Sequence, residues 1–192
     1  MEVMTDEEVL KFLSENEWNH GIKADGTNLY YDKPGANCIE LKFPETPGRA
    51  AYFAQFASML GIEDASQFYG ALLWITYSTV GSLDEAGWKL VERMRQGYGE
   101  NRSLQTADGH WFRSDELVDL TAFLLPCFVF GWDAYIIPSS DNDFFVHISH
   151  DEYWGVVTRT QEAYDKRFSE LKDLNPIESP NMRKRFCRTT TE

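Results

Sequence analysis

The sequence is poor in the features that most often announce a function. Its three cysteines, Cys38, Cys127 and Cys187, include no CxxC pair and are odd in number. Free thiols in a reducing cytoplasm are the simplest reading. No apolar run approaches the roughly 20 residues that span a bilayer. The longest, AFLLPCFVFGW at 122–132, is interrupted by Pro126. The N-terminal MEVMTDEEVLKFL is acidic and lacks the continuous apolar stretch of a secretory signal. The expectation is a soluble cytoplasmic protein with no membrane partner. GxGxxG, P-loop, GxSxG and HExxH motifs are all missing, as are internal repeats and low-complexity segments. That set of absences points away from an enzyme, and it implies no cofactor and no metal.

Basic residues are scarce as well. Lys and Arg number 18 against 31 Asp and Glu, a formal charge of −13. Residues 151–192 balance eight acids with eight bases, so the whole excess lies in residues 1–150. Such a field repels nucleic-acid phosphate and anionic membrane, and it favours a basic partner. Solubility alone is the plainer explanation.

What remains is ordinary in amount and rich in aromatics. A chain of 192 residues fits one domain and should bury roughly 70% of its unfolded surface. The 13 Phe, 9 Tyr and 6 Trp are expected mostly in the core, with some as interface anchors.

Thr5-Asp-Glu-Glu8, Ser82-Leu-Asp-Glu85 and Ser149-His-Asp-Glu152 all match the S/T-x-x-E capping box, in which hydroxyl and carboxylate satisfy each other's backbone N–H groups. The first predicts a helix from Asp6 to about Asn16 with Val9, Phe12 and Leu13 inward. Strand-like runs follow at Asn28–Tyr31 and Asn37–Phe43, divided by a turn at 32–35. Thr46-Pro47 predicts a helix ending at Gly61. ALLWITYST, 71–79, reads as a central strand buried on both faces. Ser82 then opens a helix with Leu83, Ala86, Leu90, Val91 and Met94 inward. A polar loop through Asp108-Gly109 leads to a helix capped by Ser114 and ending at Pro126. AYIIP (134–138) and FFVHIS (144–149) form a hairpin. A short helical turn is expected after Glu152, then a strand near Val156–Arg159 and a last helix from about Gln161 to Leu174.

The mixture predicts one compact α+β domain, a partly antiparallel sheet with β-hairpins covered by helices, over residues 1–175. Residues 176–192 read as a Pro-containing basic tail without helical or strand period. It should lie against an acidic face with Phe186 as its one apolar anchor, or else be disordered.

HISHDEYW, 147–154, is the most suggestive stretch for chemistry. Zinc would need both rings about 2.1 Å from one point. On a strand continued through 150, however, His147 and His150 would point to opposite faces. The capping box accounts for Ile148, Ser149, Asp151, Glu152 and Tyr153 together, so a helix start is preferred to a metal site. His110, beside Asp108-Gly109, suits a solvated loop residue better than a general base. Cys127 sits in apolar surroundings, where a thiol has a raised pKa and is inert. No residue is therefore assigned a catalytic, cofactor-binding or metal-binding role.

GWDAYIIPSSDNDFFVHISHDEYW, 131–154, with the preceding SDELVDLTAFLLP, resembles stretches of bacterial proteins that carry no assigned activity. The resemblance implies a bacterial origin, and no residue role comes with it.

Two functions fit. One is an acidic protein-binding module, immunity- or inhibitor-like, for a basic partner. The other is a small-molecule-binding protein or enzyme with a pocket between sheet and helices. Trp74, Tyr77, Trp111, Trp132, Tyr153 and Trp154 would line that pocket, and two of His110, His150, Asp133 and Glu152 would converge in it.

Overall fold

The computed structural model describes residues 1–23, 26–31, 36–43, 53, 69–77, 84–139 and 143–187. The helix expected after Thr46, the Ser82 cap and the turns at 32–35 and 140–142 lie outside them. Among the described residues an eight-stranded sheet runs in the order β1-β6-β5-β7-β8-β9-β4-β10. The strands are β1 (Glu2–Met4), β4 (Asn37–Lys42), β5 (Gly70–Tyr77), β6 (Gly109–Arg113), β7 (Asp133–Pro138), β8 (Phe144–Ser149), β9 (Tyr153–Thr158) and β10 (Ile177–Glu178). Every ladder in it is antiparallel. A separate antiparallel hairpin joins β2 (Asn19–Lys23) to β3 (Gly26–Tyr30). The fold is α+β, as the alternation of periods implies.

Period-two patterning makes the sheet two-faced. Leu73, Ile75, Ile136, Val146, Ile148, Val156, Ile39 and Leu41 build the first core. Above them lie α2 (Asp84–Gly97), α3 (Leu117–Phe130) and α4 (Gln161–Leu171). The alternate residues Leu72, Trp74, Tyr135, Ile137, Phe145, Val157 and Cys38 build a second core. It is covered by α1 (Asp6–Glu15), the β2–β3 hairpin and α5 (Pro180–Phe186). β5 sits between β6 and β7, and Ala71 to Ile75 are all buried. The expectation of a central buried strand holds.

Helix starts follow local chemistry where the cap is real. Thr5 Oγ1 accepts from the Glu8 N–H while Glu8 Oε2 accepts from the Thr5 N–H at 2.7 Å, the full box. Val9 and Leu13 are buried beneath it, and Phe12 only partly. Ser114 caps nothing: α3 begins after Glu116, without a side-chain cap. Nor does Pro126 end the helix. It is buried inside α3, which continues to Gly131, a left-handed C-cap at φ 64. The loss of one backbone donor there is outweighed by the burial of Cys127 and Phe128 in the following turn. On α2 the inward face is also turned from the expected one. Gly87, Val91 and Arg95 are buried while Ala86 and Leu90 face out. Gly87 sets that rotation, because a Cβ there would overlap the Phe130 ring.

Within the segment read as an aperiodic tail, residues 177–178 and 180–186 have regular structure. Ile177 and Glu178 pair with Glu40 and Ile39 as β10. Ser179 caps α5, with Pro180 in its first turn. Two apolar anchors are buried rather than one, Met182 at 3% and Phe186 at 0% exposure. They close the second core instead of resting on an acidic surface.

Candidate functional site

HISHDEYW is not a helix start. Ser149 pairs with Tyr153 across the β8–β9 ladder, and His150, Asp151 and Glu152 form the connecting loop. Glu152 takes the left-handed conformation (φ 62) that ends a three-residue hairpin loop. The Ser149 hydroxyl accepts from the Asp151 N–H at 3.2 Å, a turn bond rather than a cap. Serine oxygen meets a nearby N–H in either motif. The pairing of β9 with β4, distant in sequence, selects the strand.

His147 and His150 are separated by this turn. His147 is 1% exposed, packed against Tyr135 at 4.8 Å and Phe186 at 5.1 Å. Burial, aided by the Arg185 charge, holds its pKa well below the ordinary value and keeps it neutral. His150 stands half exposed at the turn, where its backbone N–H donates to one oxygen of Asp133 at 2.8 Å. Its Nδ1 meets the other oxygen at the same distance. Asp133 and His150 thus converge, giving an oriented imidazole.

His110 does not join that pair. His110 is no loop residue: it lies on β6, 0% exposed, with its ring on Phe123 at 5.2 Å. Burial first, then the Arg95 charge, lower its pKa to about 3. Neither ring nitrogen has a hydrogen-bond partner among the described residues. Arg95 is itself fully buried and donates to the Ala107 carbonyl at 2.7 Å, tying α2 to the loop before β6. Asp108 ends that loop. Burial and the neighbouring Asp6 carboxylate push its pKa up to about 8. Trp74 donates its indole N–H to the same Asp6 at 3.3 Å. Cys127 is buried, and burial raises its thiol to about 12. Trp74, Trp132 and Trp154 are core residues, Trp111 and Tyr153 are partly buried, and the Tyr77 side chain lies outside the described residues. Trp132 and Trp154 lie in the first core and Trp74 in the second, on opposite faces of the sheet.

Two open concavities among the described residues flank α1. One of about 210 Å³ is bounded by Glu2, Met4, Glu8, Lys11, Phe12 and Glu15. The other, of about 260 Å³, is bounded by Ser14, Glu17, Trp18, Asn19 and Tyr30. Residues 8, 11, 12 and 15 share one helix flank by their three- and four-residue spacing. Phe12 floors the first hollow and packs on Trp111 at 5.3 Å. Hydrogen bonds from Thr5 lower the Glu8 pKa and keep it ionised. Lys11 offsets part of the charge by pairing with Glu15 at 3.8 Å. Beside the second hollow, the Arg159 guanidinium lies 3.9 Å from the centroid of Trp18 and donates to the Asn16 carbonyl at 3.0 Å. A cation on an aromatic face is thus already accommodated there. The acidic spacing along α1 was visible in the sequence, but Glu2 joins it only through the β1–β6 pairing.

No family model matches the chain, and no match is found among curated proteins or solved structures. Among the described residues no three His, Cys, Asp or Glu side chains gather as a metal ion would require. No helix among them is long and apolar enough to cross a membrane.

Proposed function

We propose that the protein is a binding module for a basic protein partner, docked along the acidic flank of α1. The carrying observation is the hollow lined by Glu2, Glu8 and Glu15 together with Met4 and Phe12, where Lys11 is the one basic residue and is paired with Glu15. Carboxylates would steer a cationic partner, and the apolar floor would accept its anchor side chain. The net charge of −13, concentrated in residues 1–150, adds a long-range field of the same sign. The test is capture of partners from the native host with wild type and with a variant carrying Glu2→Lys, Glu15→Lys and Glu8→Gln. Gln retains the capping box, so the fold is preserved. The expected result is a basic protein retained by wild type at low salt and lost both at high salt and with the variant. Equal recovery by both proteins, or recovery of no basic protein, overturns the reading.

A second reading rests on His150 and Asp133 alone. An imidazole oriented by a carboxylate is half of an acid–base apparatus. It would serve a small-molecule enzyme, and a substrate turned over by wild type but not by His150→Ala would establish it.

A further inference from the structure

The three cysteines are dispersed in sequence, yet two of them meet. Cys38 lies on β4 with its side chain on the second face. Cys187 follows α5, where its backbone forms an isolated bridge with Tyr31. Their sulfur atoms are 3.0 Å apart, so a movement of about 1 Å reaches the roughly 2.05 Å of a disulfide. Cys38 is 2% exposed and Cys187 partly exposed, whereas Cys127 is buried in the other core. Cys187 is the more exposed thiol of the pair, and Cys38 is its buried partner in the second core.

We propose that Cys38 and Cys187 form a reversible disulfide by exchange with a low-molecular-weight disulfide. The Cys187 thiolate attacks one sulfur of the reagent RSSR, forming a Cys187–SR bond and releasing RS⁻, which takes up a proton. Cys38 then gives its proton to solvent base and attacks Cys187 Sγ. The Cys187–SR bond breaks and the second RS⁻ leaves. In balance, two protein thiols and RSSR give one protein disulfide and two RSH, with two electrons passing to the reagent. The asymmetry of the pair sets the order of attack. Cys187 has its pKa lowered by the Cys38 hydrogen bond and by the Arg183 charge, while the buried Cys38 has its own raised.

The bond would fasten the end of α5 to β4. The Phe186 carbonyl accepts from the Tyr31 N–H at 2.6 Å, so the hairpin side of the second core would be fastened with it. Oxidation therefore converts a helix held by two apolar anchors into one held covalently.

The test incubates the full chain, native and urea-unfolded, with oxidised glutathione, followed by alkylation and peptide mapping. A native Cys38–Cys187 cross-link is expected, forming at least about tenfold faster than in the unfolded chain and reversed by dithiothreitol. Oxidised protein should melt roughly 5–10 °C higher, with slowed amide exchange in α5. Cys38→Ser should instead accumulate the glutathione adduct on Cys187. Cross-linking through Cys127, equal rates in folded and unfolded chains, or a stable adduct on Cys187 in the wild type each overturns the proposal.

Discussion

Under α2, α3 and α4 the first face of the sheet is dominated by aliphatic and phenylalanine side chains, with α3 alone burying seven residues. Under α1, the β2–β3 hairpin and α5 the second face carries Trp18, Trp74, Tyr31, Tyr135, His147 and Cys38. The covers differ as much as the faces do. A ten-residue helix, a two-stranded hairpin and a seven-residue helix are each too small to be stable alone. They hold by cross-contacts, such as Phe186 with Tyr31 and Arg159 over Trp18. A cover built this way opens locally more readily than one built from long apolar helices. Both hollows and the thiol pair lie on that side.

The largest effects test whether the covers are independent. Phe123→Ala, on the first face, should cost about 3–5 kcal/mol and lower the denaturant midpoint for every spectroscopic probe together. Phe186→Ala, on the second, should cost about 3 kcal/mol and act locally. Amides of α5 should then exchange almost as in an unstructured peptide while those of α3 remain protected. If α5 and α3 exchange at one free energy already in wild type, the two covers form a single cooperative unit.

An intermediate effect separates the faces by pH. His110 on the first face and His147 on the second both have depressed pKa values. Their unfolded forms bind protons first, so stability is present above about 6.5 and is lost as pH falls toward the folded value, about 3 for His110. Asp108, joined to Asp6 on the second side, has the opposite sign. Its folded pKa of about 8 exceeds the unfolded value of about 3.9. Its contribution is therefore complete in acid and is lost as pH rises through that window. Asp108→Asn should stabilise the protein by roughly 1 kcal/mol or more at pH 8 and hardly at all at pH 4. Equal gains at the two pH values in urea titrations would remove Asp108 from the alkaline limb.

The smallest effect sharpens the reading of the β8–β9 turn. Glu152→Gly should raise stability by about 0.5–1 kcal/mol, because glycine accepts the positive φ freely. In the first turn of a helix the same change would destabilise by about as much. Thermal melts of wild type and variant suffice to decide.

Much of the architecture was legible from residues near in sequence. The cap at Thr5, the buried strand β5, the β7–β8 hairpin and the helix at Gln161–Leu171 follow from local periodicity and turn chemistry. The misreadings share a cause: a local signal with two uses, decided from far away. Ser149 serves a turn because β9 has β4 to pair with. Asp108-Gly109 opens a strand because Gly109 lies against Val9 and Met4 so closely that no side chain fits. β1 and β10 are too short, at three and two residues, to show a period. For α5 a signal existed, since Ser179-Pro180 is a cap and first turn, and Met182 and Phe186 are four apart. The Cys38–Cys187 contact and the Asp133–His150 pair had none, because only the folded chain brings those atoms together.

Strand β4 has β9 on one side and the two-residue β10 on the other, and Asn37 finds its partner only at Thr158. At the usual pace of ribosomal synthesis β4 therefore waits about ten seconds for a neighbour. Through that interval Ile39 and Leu41 have no sheet to bury them, and an unpaired apolar strand invites wrong pairing. The nascent chain is thus most vulnerable early, long before the strands that form the middle of the finished sheet have been made.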